Sequence, residues 1–162
     1  MKISILGTNG FLSTAIAKFG NSQGWDIDMY GLDEPVGHSF DHFFKVNLMD
    51  AELDCRGLLD SDIVVYAIGA GIQANLKEGY NLSYNLNVTA PVAIANKLKE
   101  QGFSGRLVTF GSVFEMGETR EERFFTEKDV LTSTCVAPND YTVSKRMLSS
   151  FVSSYKHDFT HW

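Results

Sequence analysis

The sequence lacks several features that mark particular classes of protein. Its 162 residues include only two cysteines, Cys55 and Cys135, which form neither a C-x-x-C motif nor a disulfide framework. Both are therefore expected to be reduced and structural. The net charge is −6 and no basic cluster stands out along the chain, which argues against a nucleic-acid partner.

Long apolar runs and metal-ligand clusters are also missing. No apolar stretch has membrane-spanning length, and the N-terminus enters a strand without a signal-peptide pattern, so we expect a cytoplasmic protein with no membrane partner. The histidines form two pairs, His38/His42 and His157/His161, but no cysteine or acidic partner completes a metal set. With 44% apolar and 21% charged residues, residues 1–162 are expected to form one globular domain.

The first twenty residues predict a strand, a glycine turn and a helix. Lys2 to Leu6 is a short apolar run, Gly7-Thr8-Asn9-Gly10 is a turn sequence, and apolar residues then recur at helical spacing from Phe11 to Phe19. The free amides at the start of such a helix favour a pyrophosphate. Any tight turn from a strand into a helix would show the same pattern, and the spacing alone leaves both interpretations open.

A second strand is predicted from Trp25 to Leu32, and it ends at Asp33. A carboxylate at this position in a dinucleotide-binding domain holds the hydroxyls of the adenine ribose and repels a 2′-phosphate. Glu34 and Pro35 follow, with no arginine, which favours NAD over NADP. An ordinary loop carboxylate is the alternative.

The remaining pattern alternates between strands and helices. Further strands are predicted at 43–48, 62–68 and 106–110, and helices at 50–59, at 85–101 with a kink or an early turn at Pro91, and from Asn139 or Asp140 to about Tyr155. The polar segment 73–84 has no clear pattern. This alternation predicts an α/β fold with a doubly wound parallel sheet of the Rossmann type.

Tyr141 and Lys145 are the main candidates for chemistry. Four residues apart on a helix, their side chains share one face, so the ammonium would favour ionisation of the phenol and make it a general base. Ser112, after the strand predicted to end at Phe110, would complete the set. A pair on a helix surface remains the alternative.

Taken together, these motifs resemble the extended short-chain dehydrogenase/reductase family, in particular its NAD-dependent sugar-nucleotide epimerase/dehydratase branch. The resemblance covers nearly the whole chain. It rests on GTNGFLS at 7–13, Asp33, VNL at 46–48, VVYAIGAG at 64–71, NLNVTAP at 85–91, FGSVFEMG at 110–117 and PNDYTVSK at 138–145.

The resemblance implies NAD as the cofactor and a role for each matching residue. Ser112 would bond the reacting oxygen, Tyr141 would take its proton, and Lys145 would hold the nicotinamide ribose. Asn87 is a weaker cofactor-site candidate that would orient its helix and the neighbouring loop. The other implied cofactor contacts are Gly7, Asn9, Gly10, Phe11 and Leu12 at the pyrophosphate, Asp33 at the ribose, Asn47 and Leu48 near the adenine, and Ala67, Ile68 and Gly69 beneath the cofactor.

Departures from the family pattern narrow the implied activity. Val113 and Phe114 follow Ser112 where dehydratases of this branch have Asp-Glu, so epimerisation or ketoreduction of a nucleotide-linked sugar, for cell-surface polysaccharide synthesis, is favoured over dehydration. Ser13 replaces the third glycine of the turn, Asn47 stands where the family often has Asp, and Met116 stands where it usually has Tyr.

Length is the largest departure, because family members are roughly twice as long and their C-terminal part forms most of the substrate pocket. We therefore expect that this substrate-binding part is missing. The alternative function is a dinucleotide-binding module without turnover, either truncated or redox-sensing. A homodimer through the helices at 85–101 and 139–157, as in the family, is compatible with both.

Overall fold

The computed structural model describes residues 1–50, 53–71 and 80–154, with the side chain of Tyr80 excepted. Within these residues lies a five-stranded parallel sheet in the order β3-β2-β1-β4-β5. Its strands are β1 (Lys2–Leu6), β2 (Asp26–Gly31), β3 (His42–Lys45), β4 (Ile63–Tyr66) and β5 (Arg106–Val108). The direction of strand order reverses between β1 and β4, as in a doubly wound sheet. The predicted fold class is confirmed.

Helices cover both faces of this sheet. They are α1 (Phe11–Ser22), α2 (Tyr80–Tyr84), α3 (Ala90–Glu100), α4 (Glu127–Leu131) and α5 (Asp140–Ser154). On one face, Ile94 and Leu98 of α3 share a buried cluster with Leu6 of β1. On the other, Ala17 of α1 lies in a cluster with Ile5. Burial of both faces explains why β1 and β4 are nearly continuous apolar runs.

The segment after β2 differs from the prediction. β3 occupies His42–Lys45 and not 43–48, because the side chain of Asn47 accepts a hydrogen bond from the Met49 amide at 3.1 Å and turns the chain. The helix predicted at 50–59 is wrong over the described residues 53–59, where only a 3₁₀ turn forms at Arg56–Leu58. There, the Asp54 carboxylate accepts from the Arg56 amide at 3.0 Å, and this local bond competes with a longer helix. Residues 51 and 52 lie outside the described residues.

The helix predicted at 85–101 begins earlier and changes its winding. Residues Tyr80–Tyr84 form α2, so the end of the unassigned segment 73–84 is helical, while residues 73–79 lie outside the described part. A π-helical stretch covers Asn85–Thr89 before α3 begins, with the Ala90 amide bonded to the carbonyl of Asn85. Pro91 explains the change, because it has no amide to donate to the preceding turn.

The strands predicted at 62–68 and 106–110 are shorter than expected, since β4 ends at Tyr66 and β5 at Val108. The predicted cap of the last helix is confirmed at Asn139, whose side-chain oxygen accepts from the Thr142 amide at 2.9 Å. α5 is described to Ser154, so its predicted end near Tyr155 lies outside the described residues. Cys55 and Cys135 are free thiols.

Candidate functional site

The glycine turn after β1 is packed directly on the end of β4. Gly7 has φ +108°, a conformation that side chains rarely adopt, and a Cβ atom placed on it would lie 2.7 Å from Cγ1 of Ile68. Its amide donates to the carbonyl of Tyr30 at 2.7 Å. Glycine is therefore required at this position by both the backbone and the space available.

The first turn of α1 leaves amide groups available to a ligand. Gly10 is the N-cap residue, no side chain caps the helix, and its first turn contains no acidic residue. The first helical bond runs from the Thr14 amide to the carbonyl of Gly10 at 3.0 Å, so the amides of residues 11–13 have no partner within the helix. Ser13, at the position of the third glycine, is fully buried and donates its hydroxyl to Gly10. Phe11 and Leu12 keep exposed side chains.

Asn9 joins the glycine turn to the loop that follows β2. Its amide nitrogen donates to the carbonyl of Glu34 at 3.1 Å, and its oxygen accepts from the Val36 amide at 2.9 Å. These two bonds hold the loop that carries Asp33, whose carboxylate is exposed. Within the described residues Asp33 makes no hydrogen bond, so its oxygens are available to a ligand.

The two residues predicted near an adenine have different environments. Asn47 is exposed and bonds the amide of Met49. Leu48 is 6% exposed and packs in the core with Ile94. An open, mostly apolar cleft of about 200 Å³ lies beside it, with Lys97 at its edge.

The segment after β4 connects the glycine turn with the helix that carries Tyr141 and Lys145. Ala67 and Ile68 lie against Gly7, and a Cβ atom on Gly69 would lie 4.0 Å from Nζ of Lys145. Since β1 and β4 are the neighbouring strands at which the strand order reverses, this segment lines the crevice where doubly wound sheets bind their ligands. The structure thus brings Gly7, Gly69 and Lys145 to one edge of the sheet.

Asn87 holds this edge together. Asn87 is fully buried in the π-helical stretch. Its side-chain oxygen accepts from the Ala70 amide at 3.0 Å, and its side-chain nitrogen donates to the Ala70 carbonyl at 2.9 Å. A third bond, of 2.9 Å, runs from the same side-chain amide to the hydroxyl of Ser144 on α5. Its contacts are those of a residue that orients the loop after β4 relative to α5.

Tyr141 and Lys145 lie on the same face of α5, as their spacing predicts. Nζ of Lys145 lies 5.9 Å from the centroid of the Tyr141 ring and donates to the carbonyl of Phe110 at 2.9 Å. Lys145 is only 7% exposed, and this burial lowers the pKa of its ammonium group, an effect that the negative charge of Glu115 opposes. Phe114 packs edge-on against Tyr141 at 6.2 Å between ring centroids.

Ser112 begins a short 3₁₀ helix, Val113–Met116, and is held by a capping box. Its amide donates to Oε1 of Glu115 at 2.7 Å, and its hydroxyl oxygen accepts from the Phe114 amide at 3.3 Å. Because the hydroxyl oxygen acts as the acceptor in this box, the hydroxyl proton remains able to donate elsewhere.

Three residues that support the site are absent from the sequence-based prediction, namely Glu115, Ser144 and Arg146. The Arg146 guanidinium donates to the carbonyl of Glu115 at 2.6 Å and to that of Met116 at 3.0 Å. A signal for Glu115 was present, because Ser112-x-x-Glu115 is the capping-box pattern. Nothing in the sequence distinguishes Ser144 or Arg146 from other polar residues on a helix.

The described ranges contain neither a metal-binding cluster nor a membrane-spanning helix. Residues 1–50, 53–71 and 80–154 contain no cluster of three histidine, cysteine or acidic side chains arranged to bind a metal ion. No helix in the same ranges combines the length and the hydropathy needed to cross a membrane. His157 and His161 lie outside them.

Solved structures with the same fold are numerous. Bordetella bronchiseptica WbmG, solved with NAD and UDP, has a TM-score of 0.71 and 17% identity over 98% of this chain and 50% of its own. UDP-glucose 4-epimerase from Bifidobacterium longum, solved with NAD⁺ and UDP, has a TM-score of 0.79 and 16% identity, and the match covers 99% of this chain and 51% of the epimerase. ADP-L-glycero-D-manno-heptose-6-epimerase from Helicobacter pylori has a TM-score of 0.75 and 17% identity, and the match covers 99% of this chain and 53% of that protein. The chain thus spans about half the length of these proteins.

Sequence comparison gives the family itself. A search among curated proteins found no significant match. The model of the NAD dependent epimerase/dehydratase family, however, matches residues 3–161, which is almost the entire chain. This chain therefore belongs to the NAD dependent epimerase/dehydratase family.

Proposed function

We propose that this chain is the cofactor-binding and proton-transfer part of an NAD-dependent oxidoreductase or epimerase that acts on a nucleotide-activated sugar. One observation carries the proposal. Gly7 packs on Ile68 and Gly69 lies against Lys145, so the glycine turn and the Tyr141–Lys145 pair line one crevice at the reversal of strand order. Family membership and the NAD and UDP bound by similar structures support the same cofactor and substrate class.

The residues of the crevice fit a dinucleotide. The positive φ of Gly7 and its contact with Ile68 set the tight path of the turn into α1. The amides of residues 11–13, which have no partner within that helix, favour the negative charge of a pyrophosphate. Asp33, held in place through Asn9, would accept hydrogen bonds from the adenine ribose. When bound, NAD would supply a hydride acceptor and, once reduced, a hydride donor.

Three side chains would handle the proton of the substrate hydroxyl. The hydroxyl of Ser112 would donate to the reacting oxygen, because its own oxygen already accepts from Phe114. Tyr141 would take the proton as general base. Lys145 would hold the nicotinamide ribose and place a cation beside the ring of Tyr141, where it stabilises negative charge in the transition state.

Epimerisation or ketoreduction is proposed rather than dehydration. Water elimination needs an additional acid and base beside the reacting carbon. The residues next to Ser112 are Val113, 82% exposed, and Phe114, 50% exposed, which supply neither. Phe114 instead packs edge-on against the ring of Tyr141.

The cofactor part of the proposal is tested by calorimetric titration of the chain with NAD and NADP. We expect micromolar NAD binding, weaker NADP binding, and a loss of NAD affinity of about tenfold or more in Asp33→Arg, because a charged hydrogen-bond acceptor is removed. Glu34→Arg makes the same charge change one residue later and is the matched control. It should retain its NAD affinity and the preference for NAD over NADP. A folded chain that binds neither dinucleotide would contradict the proposal.

The chemical part is tested by mixing NAD-loaded protein with UDP- and ADP-linked sugars. Absorbance follows the reduced nicotinamide that forms during the reaction, and chromatography of the sugar products measures turnover, because epimerisation regenerates NAD. Tyr141→Phe should keep its NAD affinity and lose turnover by about 10²- to 10⁴-fold, whereas Tyr84→Phe should be unaffected. NAD binding without turnover on any sugar would favour the second candidate, a dinucleotide-binding module without turnover.

Oligomeric state belongs to the same proposal. The helices at 85–101 and 139–157 would form a homodimer, and light scattering on the purified chain would measure its mass. A monomer at all concentrations would contradict the dimer without affecting the proposed chemistry.

A further inference from the structure

We propose that Glu115 is a positioning residue of this site, which holds the backbone of Ser112, and with it the capping box that orients the Ser112 hydroxyl, and which supplies a negative charge that acts on Lys145. The inference rests on the proposed function for its catalytic meaning. Its structural basis is independent of that function, because Glu115 is a carboxylate only 2% exposed and no role in the proposed chemistry uses it. A carboxylate is rarely buried so completely unless it is paired.

The first contact of Glu115 is with the backbone of Ser112. Oε1 accepts from the Ser112 amide at 2.7 Å, and the reciprocal half of the capping box brings the Phe114 amide to the Ser112 hydroxyl oxygen. The carboxylate also lies close to Gly111, where a Cβ atom would be 3.0 Å from Oε1. The Glu115 side chain thus ties the backbone of Ser112 to the 3₁₀ helix, and the Ser112 hydroxyl supplies the other half of the box.

The second effect of Glu115 is electrostatic and acts on Lys145. The carboxylate lies beside Gly111, the residue after Phe110, and the carbonyl of Phe110 accepts from Nζ of Lys145 at 2.9 Å. Burial favours loss of the Lys145 proton, and Glu115 is the charge that opposes this among the described residues. The other groups near Nζ carry no formal charge: the ring of Tyr141 on the same helix, the carbonyl of Phe110 after β5, and Gly69 after β4. Arg146 is directed at the carbonyls of Glu115 and Met116. Glu115 therefore supports the ammonium form of Lys145 at the place where a ribose would bind.

Two substitutions separate the hydrogen bond from the charge. Glu115→Gln keeps an oxygen acceptor for the Ser112 amide and loses the charge, whereas Glu115→Ala loses both. Glu118→Gln removes an exposed carboxylate three residues later and serves as the control. The chain is labelled with ¹³C at lysine Cε, and the resonance of Lys145 is identified by its loss in Lys145→Met.

We expect the titration midpoint of Lys145 to shift to lower pH in both Glu115 variants and to stay unchanged in Glu118→Gln. The Ser112 amide should remain protected from hydrogen exchange in Glu115→Gln and lose protection in Glu115→Ala. A role limited to packing would not move the Lys145 titration, so an unchanged midpoint in a folded Glu115→Gln would overturn the proposal.

The wild-type chain provides a second test should the variants fail to fold. Its Ser112 amide should exchange with solvent at least about tenfold more slowly than that of the exposed Val113, because the Ser112 amide donates to a buried acceptor. Equal exchange rates would overturn the proposal. None of these measurements needs a cofactor, so failure of the NAD titration would reject the proposed function and leave the test of Glu115 intact.

Discussion

Removal of the Asn87 side chain should destabilise the fold more than any other single change in the π-helical stretch. Asn87→Ala leaves the amide and the carbonyl of Ala70 without their partner, and Ala70 itself is 5% exposed. An unsatisfied buried polar group costs about 1–3 kcal/mol, which gives a loss of roughly 4 kcal/mol for the two. The third bond adds little, because the Ser144 hydroxyl also donates to the carbonyl of Tyr141 at 2.8 Å.

Urea unfolding followed by circular dichroism measures this loss directly. The midpoint should fall without a change in slope, and the melting temperature should fall by about 10 °C for a chain of this size. Asn85→Ala is the matched control, because Asn85 lies two residues earlier, is half-buried and makes no side-chain hydrogen bond in the part of the chain that is described. It should cost less than about 1 kcal/mol.

The same variant tests whether the loop after β4 is held by α5. Because Asn87 connects Ala70 to Ser144, its loss should also weaken NAD binding in conditions where the variant is folded. An Asn87→Ala protein within about 1 kcal/mol of wild type would refute the reasoning, since the two backbone groups of Ala70 would then have found other partners.

Two further perturbations follow from the site. Gly7→Ala should lower the free energy of unfolding by about 1–3 kcal/mol more than Gly102→Ala, as measured by urea unfolding. Both positions have positive φ, but only a Cβ atom on Gly7 would meet another atom, Cγ1 of Ile68 at 2.7 Å. Equal losses in the two variants would contradict this contact. Burial lowers the pKa of Lys145 in the folded chain below the ordinary value of 10.5. Between these two pKa values the unfolded chain therefore binds more protons than the folded chain. The contribution of Lys145 to the free energy of unfolding should accordingly rise with pH across this interval. The stability of wild type relative to Lys145→Met should therefore increase as pH rises, and a flat difference would contradict the burial of the ammonium group.

The sheet and the position of its crevice were predictable from the sequence. Apolar runs at β1 and β4 specify buried parallel strands. The carboxyl ends of such strands lie at one edge of the sheet, and this does not depend on the structure of the segments that connect them. The proximity of Gly7 and Gly69 follows from this rule. The spacing of Tyr141 and Lys145 likewise determined that they share a face of α5.

The parts that were not predicted depend on local polar contacts. β3 stops early because Asn47 bonds the amide two residues on, and the 50–59 helix is replaced in its described part by a turn around Asp54. The burial of Asn87 against the backbone of Ala70 was likewise not predicted, because no periodicity reveals it. Such contacts are set by one side chain and its neighbours in space, whereas hydrophobic patterns average over many residues.

Asn87 and Glu115 support the site in the same physical way. Each is a buried polar residue that ties the loop at the carboxyl end of a strand: Asn87 after β4 and Glu115 after β5. Asn87 ties its loop to α5 because its side-chain nitrogen donates to the hydroxyl of Ser144. Glu115 ties its loop to the same helix because its backbone carbonyl accepts from the guanidinium of Arg146. A buried polar group is costly unless all its partners are present, so each bond also penalises any displacement of its loop. The position of Lys145 relative to Gly69 and Ser112 is therefore maintained by hydrogen bonds of defined length, and not by the apolar core alone.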